Sequence, residues 1–204
     1  MTEPSLRERK KNATGRELAL AALDLVLERG LAETTVEDIA DRVGYSRRTF
    51  ANHFTCKQEA VVVGFFLRLG MPGARFEAEP SEAALPIPLT ADGVVDAAAE
   101  AYAQVFAEGG AVRLVEFGRV LHAEPTLAPY IHQAMFDARR SYRSRLVEAG
   151  MPPARAALLL GALIGVGGVV VEELLEGDAT PSDVGPLLAE GLDHVRRGFA
   201  ETPA

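Results

Sequence analysis

Between residues 34 and 54 two short helical patterns meet at a single glycine, and this junction constrains the chain more than any other stretch. Thr34 and Thr35 precede Val36, Ile39, Ala40 and Val43, with Glu37 and Asp38 in the first turn, where a helix N-terminus favours negative charge. Gly44 stops that helix, and Ser46 is a good N-cap for a third helix running to Phe54. Ile39, Val43, Phe50 and Phe54 then need an apolar surface to pack on. The preceding segment supplies one, because Leu18, Ala21, Ala22, Leu25 and Val26 repeat at helical spacing, with Thr14 and Glu17 as a capping box and Gly30 as a stop.

The same periodicity continues along the chain without strand alternation, so the expected fold is all-α. Lys57 to Leu69 reads as a fourth helix carrying Val61, Val62, Phe65 and Phe66. Residues 70–90, where five prolines or glycines punctuate the run MPGARFEAEPSEAALPIPL after Gly70, read as a loop. Further helices are expected near Asp92–Ala107, Ala111–His122, Leu127–Ala149, Pro153–Glu176 and Ser182–Phe199. This predicts a flexible basic arm over 1–13, a small helical domain over 14–60 and a larger helical domain over 61–204.

Charge separates the parts. Of 21 Lys/Arg and 29 Asp/Glu, ten of each fall in residues 1–60, so the whole net charge of −8 is carried after residue 60. An acidic molecule is not drawn to nucleic acid as a whole; only a local patch can be. Such a patch exists: no acid occurs between Asp41 and Glu59, a window that holds Arg42, Arg47, Arg48 and Lys57. The opening segment Arg7, Arg9, Lys10, Lys11 is basic too. One cysteine, Cys56, excludes an intramolecular disulfide framework and a zinc cluster, and MTEPSLRERKK lacks the apolar core of a secretory signal; both suit the cytoplasm. The apolar run Ala156 to Val171 is shorter than the roughly 20 residues of a bilayer span, and reads as a buried or interface helix.

Two short helices around a glycine turn, with Ala40 at the crossing, are the sequence image of a DNA-binding helix-turn-helix. The polar side of the third helix shows Arg47, Arg48, Thr49, Asn52 and His53. Arginine can pair with guanine and asparagine with adenine, while Thr, His and Lys commonly serve phosphates. A plain helical bundle can carry the same pattern, so on this pattern alone both readings stand.

The run TTVEDIADRVGYSRRTFANHFTCKQEAVV, with GRELALAALDLVLERG before it, resembles the DNA-binding domain of the TetR family of bacterial regulators over residues 14–63. The landmarks are Gly30, Thr35, Ile39, Ala40, Gly44, Ser46, Phe50, His53, Phe54 and Lys57. The resemblance implies a homodimeric repressor whose C-terminal domain binds a small effector that releases a palindromic operator. It implies DNA contacts from Thr35, Ser46, Arg47, Arg48, Thr49, Asn52 and His53, and a phosphate contact from Lys57. Ala51 departs from the aromatic residue that many members carry there, and Cys56 from a Ser, Asn or Asp cap. At a helix N-terminus beside Lys57 the Cys56 thiol is a candidate redox switch, or else it fills a small capping position.

Aromatic and Met residues at helical spacing are commonly plain core, but the resemblance implies an effector cavity among these helices. Tyr102, Phe106, Phe117, Leu121, Met135 and Phe136 are its candidate lining, with Arg140 from the cluster Arg139, Arg140, Arg143, Arg145 for an anionic or amphipathic effector such as an acyl-coenzyme A. His122 and His132 are too isolated to be metal ligands, and no cofactor is expected. In the last two helices Gly161 and Gly165 lie one turn apart among Leu, Ile and Val, and Leu188, Leu192, Val195 and Phe199 form a stripe. Such helices can form a four-helix dimer seam. The alternatives are an apolar-ligand carrier, which has no need of the acid-free basic window, and an all-helical enzyme, for which no convergent nucleophile and base are seen.

Overall fold

A computed structural model describes residues 5–70, 90–107, 109–177 and 180–199, and among these all regular structure is helical. The elements are α1 (Leu6–Arg29), α2 (Val36–Arg42), α3 (Arg47–Ala51), α4 (Lys57–Arg68), α5 (Ala91–Phe106), α6 (Gly110–Ala123), α7 (Ala128–Glu148), α8 (Pro153–Glu176) and α9 (Val184–Phe199), with a 3-10 turn at Pro125–Leu127. The expected loop over 70–90 falls, except for its two ends, outside the described residues.

The chain divides into two compact units, one drawn from residues 1–81 and 119–136 and the other from 82–118 and 137–204. The boundary expected after residue 60 therefore moves, because α4 packs along α1. Leu18, Ala22 and Leu23 on α1 and Ala60, Val61 and Val62 on α4 are all buried. Gly64 permits the close approach: a Cβ there would lie 2.1 Å from the Ala19 carbonyl oxygen. Arg68 pairs with Asp24 across the same seam. Phe50 and Phe54, with ring centroids 5.4 Å apart, are buried in this unit with Ile39 and Ala40.

The N-terminal segment differs from the expected arm. Helix α1 starts at Leu6, not near Thr14, because Ser5 and Glu8 form a capping box upstream of the one predicted: Ser5 N–H donates to Glu8 Oε2 (2.8 Å) and Glu8 N–H to Ser5 Oγ (3.3 Å).

In the second unit α5, α8 and α9 share a core of Val95, Ala156, Leu159, Leu163, Leu192 and Val195. Tyr102 donates its hydroxyl proton to the Leu163 carbonyl, and its ring lies where a Cβ on Gly167 would come within 2.8 Å. Burial pushes the Tyr102 phenol pKa up. Helix α8 has 24 residues and by length and composition could cross a bilayer, so its run length does not argue against a span. It is packed into this core through Ala156, Leu159 and Leu163, and into a second cluster with Ala111, Val184 and Leu188 through Val170 and Leu174.

Candidate nucleic-acid interface

The α2–turn–α3 segment is shaped by its caps. Thr35 caps α2 by accepting from Asp38 N–H (3.1 Å), and Asp38 Oδ2 accepts from the Thr35 N–H (3.0 Å) and hydroxyl (2.6 Å). The Thr35 hydroxyl, then the Thr35 amide and Arg29 (2.7 Å), hold the Asp38 carboxyl below the usual carboxylate range. At the turn Gly44 has φ +72°, which an L side chain rarely adopts, and Tyr45 N–H closes the turn onto Ala40 O at 2.9 Å. Ser46 Oγ then accepts from Thr49 N–H (3.1 Å) and starts α3.

Tyr45, which the sequence did not single out, and Arg42, read there only as one cation of the basic window, orient this motif on α1. Tyr45 donates its hydroxyl to Glu17 Oε2 (2.9 Å) and accepts from Thr14 Oγ1 (3.4 Å), and Arg42 forms a two-pronged pair with Glu28 (3.1 and 2.7 Å). An aromatic residue inside a glycine turn was the available signal for Tyr45. The Arg42 pair joins residues 14 apart and has no local signature.

The structure separates the eight expected DNA-binding residues. Thr35, Ser46, Arg47, Arg48 and Asn52 are exposed, and Thr49 is half-buried. Arg47 extends with 76% of its side chain open and pairs with Glu37 at 2.9 Å. Among the described residues no acid pairs with Arg48, although it is exposed on the same short helix. His53 does not belong to this polar side. It is 8% exposed and lies beside the Phe54 ring, because it follows the C-cap Asn52, where the chain has already left α3.

Lys57 is engaged elsewhere as well. Its ammonium donates to the Leu31 and Thr34 carbonyls, each at 2.7 Å, so it stitches the start of α4 to the turn between α1 and α2. Cys56 is the N-cap of α4, but its sulfur makes no cap bond. Glu59 supplies the local satisfaction by accepting from the Thr55 N–H and hydroxyl, both at 2.7 Å.

A glycine-turned pair of helices, the second capped by serine and presenting two exposed arginines, defines a helix-turn-helix domain. Residues 18–61 match the model of bacterial regulatory proteins, tetR family. This domain of the chain is thus a tetR-family helix-turn-helix. A curated relative, the HTH-type transcriptional regulator TcmR of Streptomyces glaucescens, is 44% identical over 59 residues, which is 29% of this chain and 26% of the relative. The chain thus spans about a quarter of the length of that relative. A crystal structure of a TetR transcriptional regulator from Rhodococcus sp. RHA1 aligns over 95% of this chain and 99% of that one, with 18% identity and a TM-score of 0.48.

The residues expected to line an effector cavity are divided between the units. Tyr102, Phe106, Phe117 and Arg140 fall in the second, and Leu121, Met135 and Phe136 in the first. Phe117 is 2% exposed and is core, whereas Phe136 is 54% exposed and Arg140 is open to solvent.

The expected dimer residues divide too. Leu188, Leu192 and Val195 are buried in the protomer's own core, so they are not a free stripe; α9 turns its apolar face toward α5 and α8 instead. The side chain of Phe199 lies outside the described residues. Gly161 and Gly165, by contrast, have nothing within 4 Å of the place a Cβ would occupy, and the same is true of Gly168.

Proposed function

We propose that this protein is a homodimeric transcriptional regulator, a repressor that a small molecule releases from a palindromic operator, acting in the cytoplasm without catalytic chemistry or a cofactor. The observation that carries this reading is α3: a serine-capped helix that offers exposed Arg47 and Arg48, with exposed Asn52 as its C-cap, inside a domain of the tetR family. Phosphate contacts position such a domain, and arginine and asparagine on the first helical turns reach base edges. Thr35, Ser46 and Thr49 then serve the backbone of the duplex.

Residues 82–118 and 137–204 supply the effector site and the dimer seam in this reading. Support for the seam comes from α8. Leu158 is 67% and Val169 52% exposed, and Gly161, Gly165 and Gly168 carry open space, so this edge of an apolar helix has no cover among the described residues. A second copy of α8 is a fitting cover, since glycines let helix backbones approach closely. The effector is apolar or amphipathic, and linkage requires that it weaken DNA binding by as much as DNA weakens its own.

The test selects bound fragments from genomic DNA and then compares Arg48→Ala with Arg47→Ala on a selected operator and a scrambled duplex. Arg48, which has no competing acid among the described residues, should cost about 1–3 kcal/mol on the operator and relax one base position per half-site. Arg47 should cost less, since it must first leave Glu37. Equal losses on both duplexes for both variants would show that neither reads bases. A protein that binds no fragment would favour an apolar-ligand carrier or an enzyme.

A further inference from the structure

The first turns of α1 bury nothing. Every residue from Ser5 to Ala13 is exposed, and the buried part of the helix begins only at Gly15. Helix continues there because of the Ser5–Glu8 box, and that box occupies the one carboxylate of the segment. What remains is Arg7, Arg9, Lys10 and Lys11, none of them paired with an acid among the described residues, and no further acid comes before Glu17.

The cations are not scattered around the helix. Arg7, Lys10, Lys11 and Thr14 stand at i, i+3, i+4 and i+7, the spacing that places residues on one face of a helix. Thr14 is the residue whose hydroxyl reaches Tyr45, the neighbour of the Ser46 cap of α3. The basic face of α1 is thus the face that meets the α2–α3 turn, and it continues from that contact for seven residues, about 10 Å of helix. Arg9 points to the opposite side.

We propose that Arg7, Lys10 and Lys11 form a second DNA-contact surface, which binds phosphates beside those reached from α3. The proposal rests on the DNA-binding reading above. A duplex carries one negative charge per roughly 1.7 Å of its axis, so about 10 Å of helix beside it meets several phosphates. Flexible cationic side chains on a helix with no packed support suit phosphate oxygens rather than base edges, so this surface adds affinity without sequence preference. It also supplies local positive charge to a protein whose net charge is −8.

The triple variant Arg7→Gln, Lys10→Gln, Lys11→Gln tests it, since glutamine keeps helix propensity while removing charge. Binding to operator and scrambled duplexes is measured across salt concentrations, with circular dichroism to confirm helix content and Arg9→Gln as the opposite-face control. The slope of log affinity against log salt should fall by about 2–3, at roughly 0.9 for each phosphate that is no longer neutralised. The operator-to-scrambled ratio should stay constant, and Arg9→Gln should leave the slope in place. Sequence preference with an unchanged slope in the triple variant would overturn the second surface and leave the reading of α3 intact. An equal loss per charge in Arg9→Gln would overturn it as well, because bulk charge would then suffice. Wild-type protein that binds no duplex at low salt would remove both.

Discussion

Replacing Lys57 with Met should destabilise the domain and leave the salt dependence of DNA binding unchanged. Met keeps the aliphatic stem and deletes the ammonium. The Leu31 and Thr34 carbonyls are then each deprived of a charge-assisted partner at 2.7 Å. Both residues are buried, at 3% and 0% exposure, and the Thr34 hydroxyl already donates to the Gly30 carbonyl, so it is not free to replace the ammonium. A hydrogen bond to a charged group contributes about 1.5–3 kcal/mol. Here two bonds share one half-buried ammonium and water can replace part of the loss, so the expected cost is about 2–3 kcal/mol in total. For a chain of this size that lowers Tm by about 4–12 °C. Thermal and urea melts followed by circular dichroism measure the first effect, and operator binding across salt concentrations the second. If Lys57 instead neutralises a phosphate, Tm stays put and the salt slope falls by about 0.9. That pair of results would refute the stitching role and restore the phosphate role expected from the sequence.

Two further outcomes follow from the geometry. Because the folded Asp38 carboxyl titrates below its unfolded value, its stabilising contribution is full above the ordinary carboxylate pKa of about 4 and is lost as pH falls through the folded pKa. Asp38→Asn should therefore lower the urea midpoint at neutral pH and converge on wild type in acid; a gap that does not depend on pH would exclude the linkage. Leu158→Arg should give monomers by sedimentation with unchanged helix content and weaker operator binding, since Leu158 lies outside the protomer core. Persistence of a dimer would place the seam elsewhere.

The local chemistry of this protein was readable from its sequence, because caps, turns and periodicity act over a few residues. Ser46 and Gly44 set the start of α3 and the turn before it, and α8 runs over the expected Pro153–Glu176. The candidate site was legible as a set of polar residues around α3, but not as a set of directions. Helix α3 has only five residues, too few for its periodicity to resolve which side His53 takes once the chain has passed Asn52. Lys57, Arg42 and Arg47 read alike as cations in an acid-free window. Tertiary structure separated them by bringing up the Leu31 and Thr34 carbonyls, Glu28 and Glu37, partners that lie ten or more residues away in sequence. The apolar stripe of α9 was equally visible, yet a stripe shows only that a face must be covered. Packing against α5 and α8 decided that the cover for Leu188, Leu192 and Val195 comes from within the protomer, while the glycine edge of α8 stays open among the described residues.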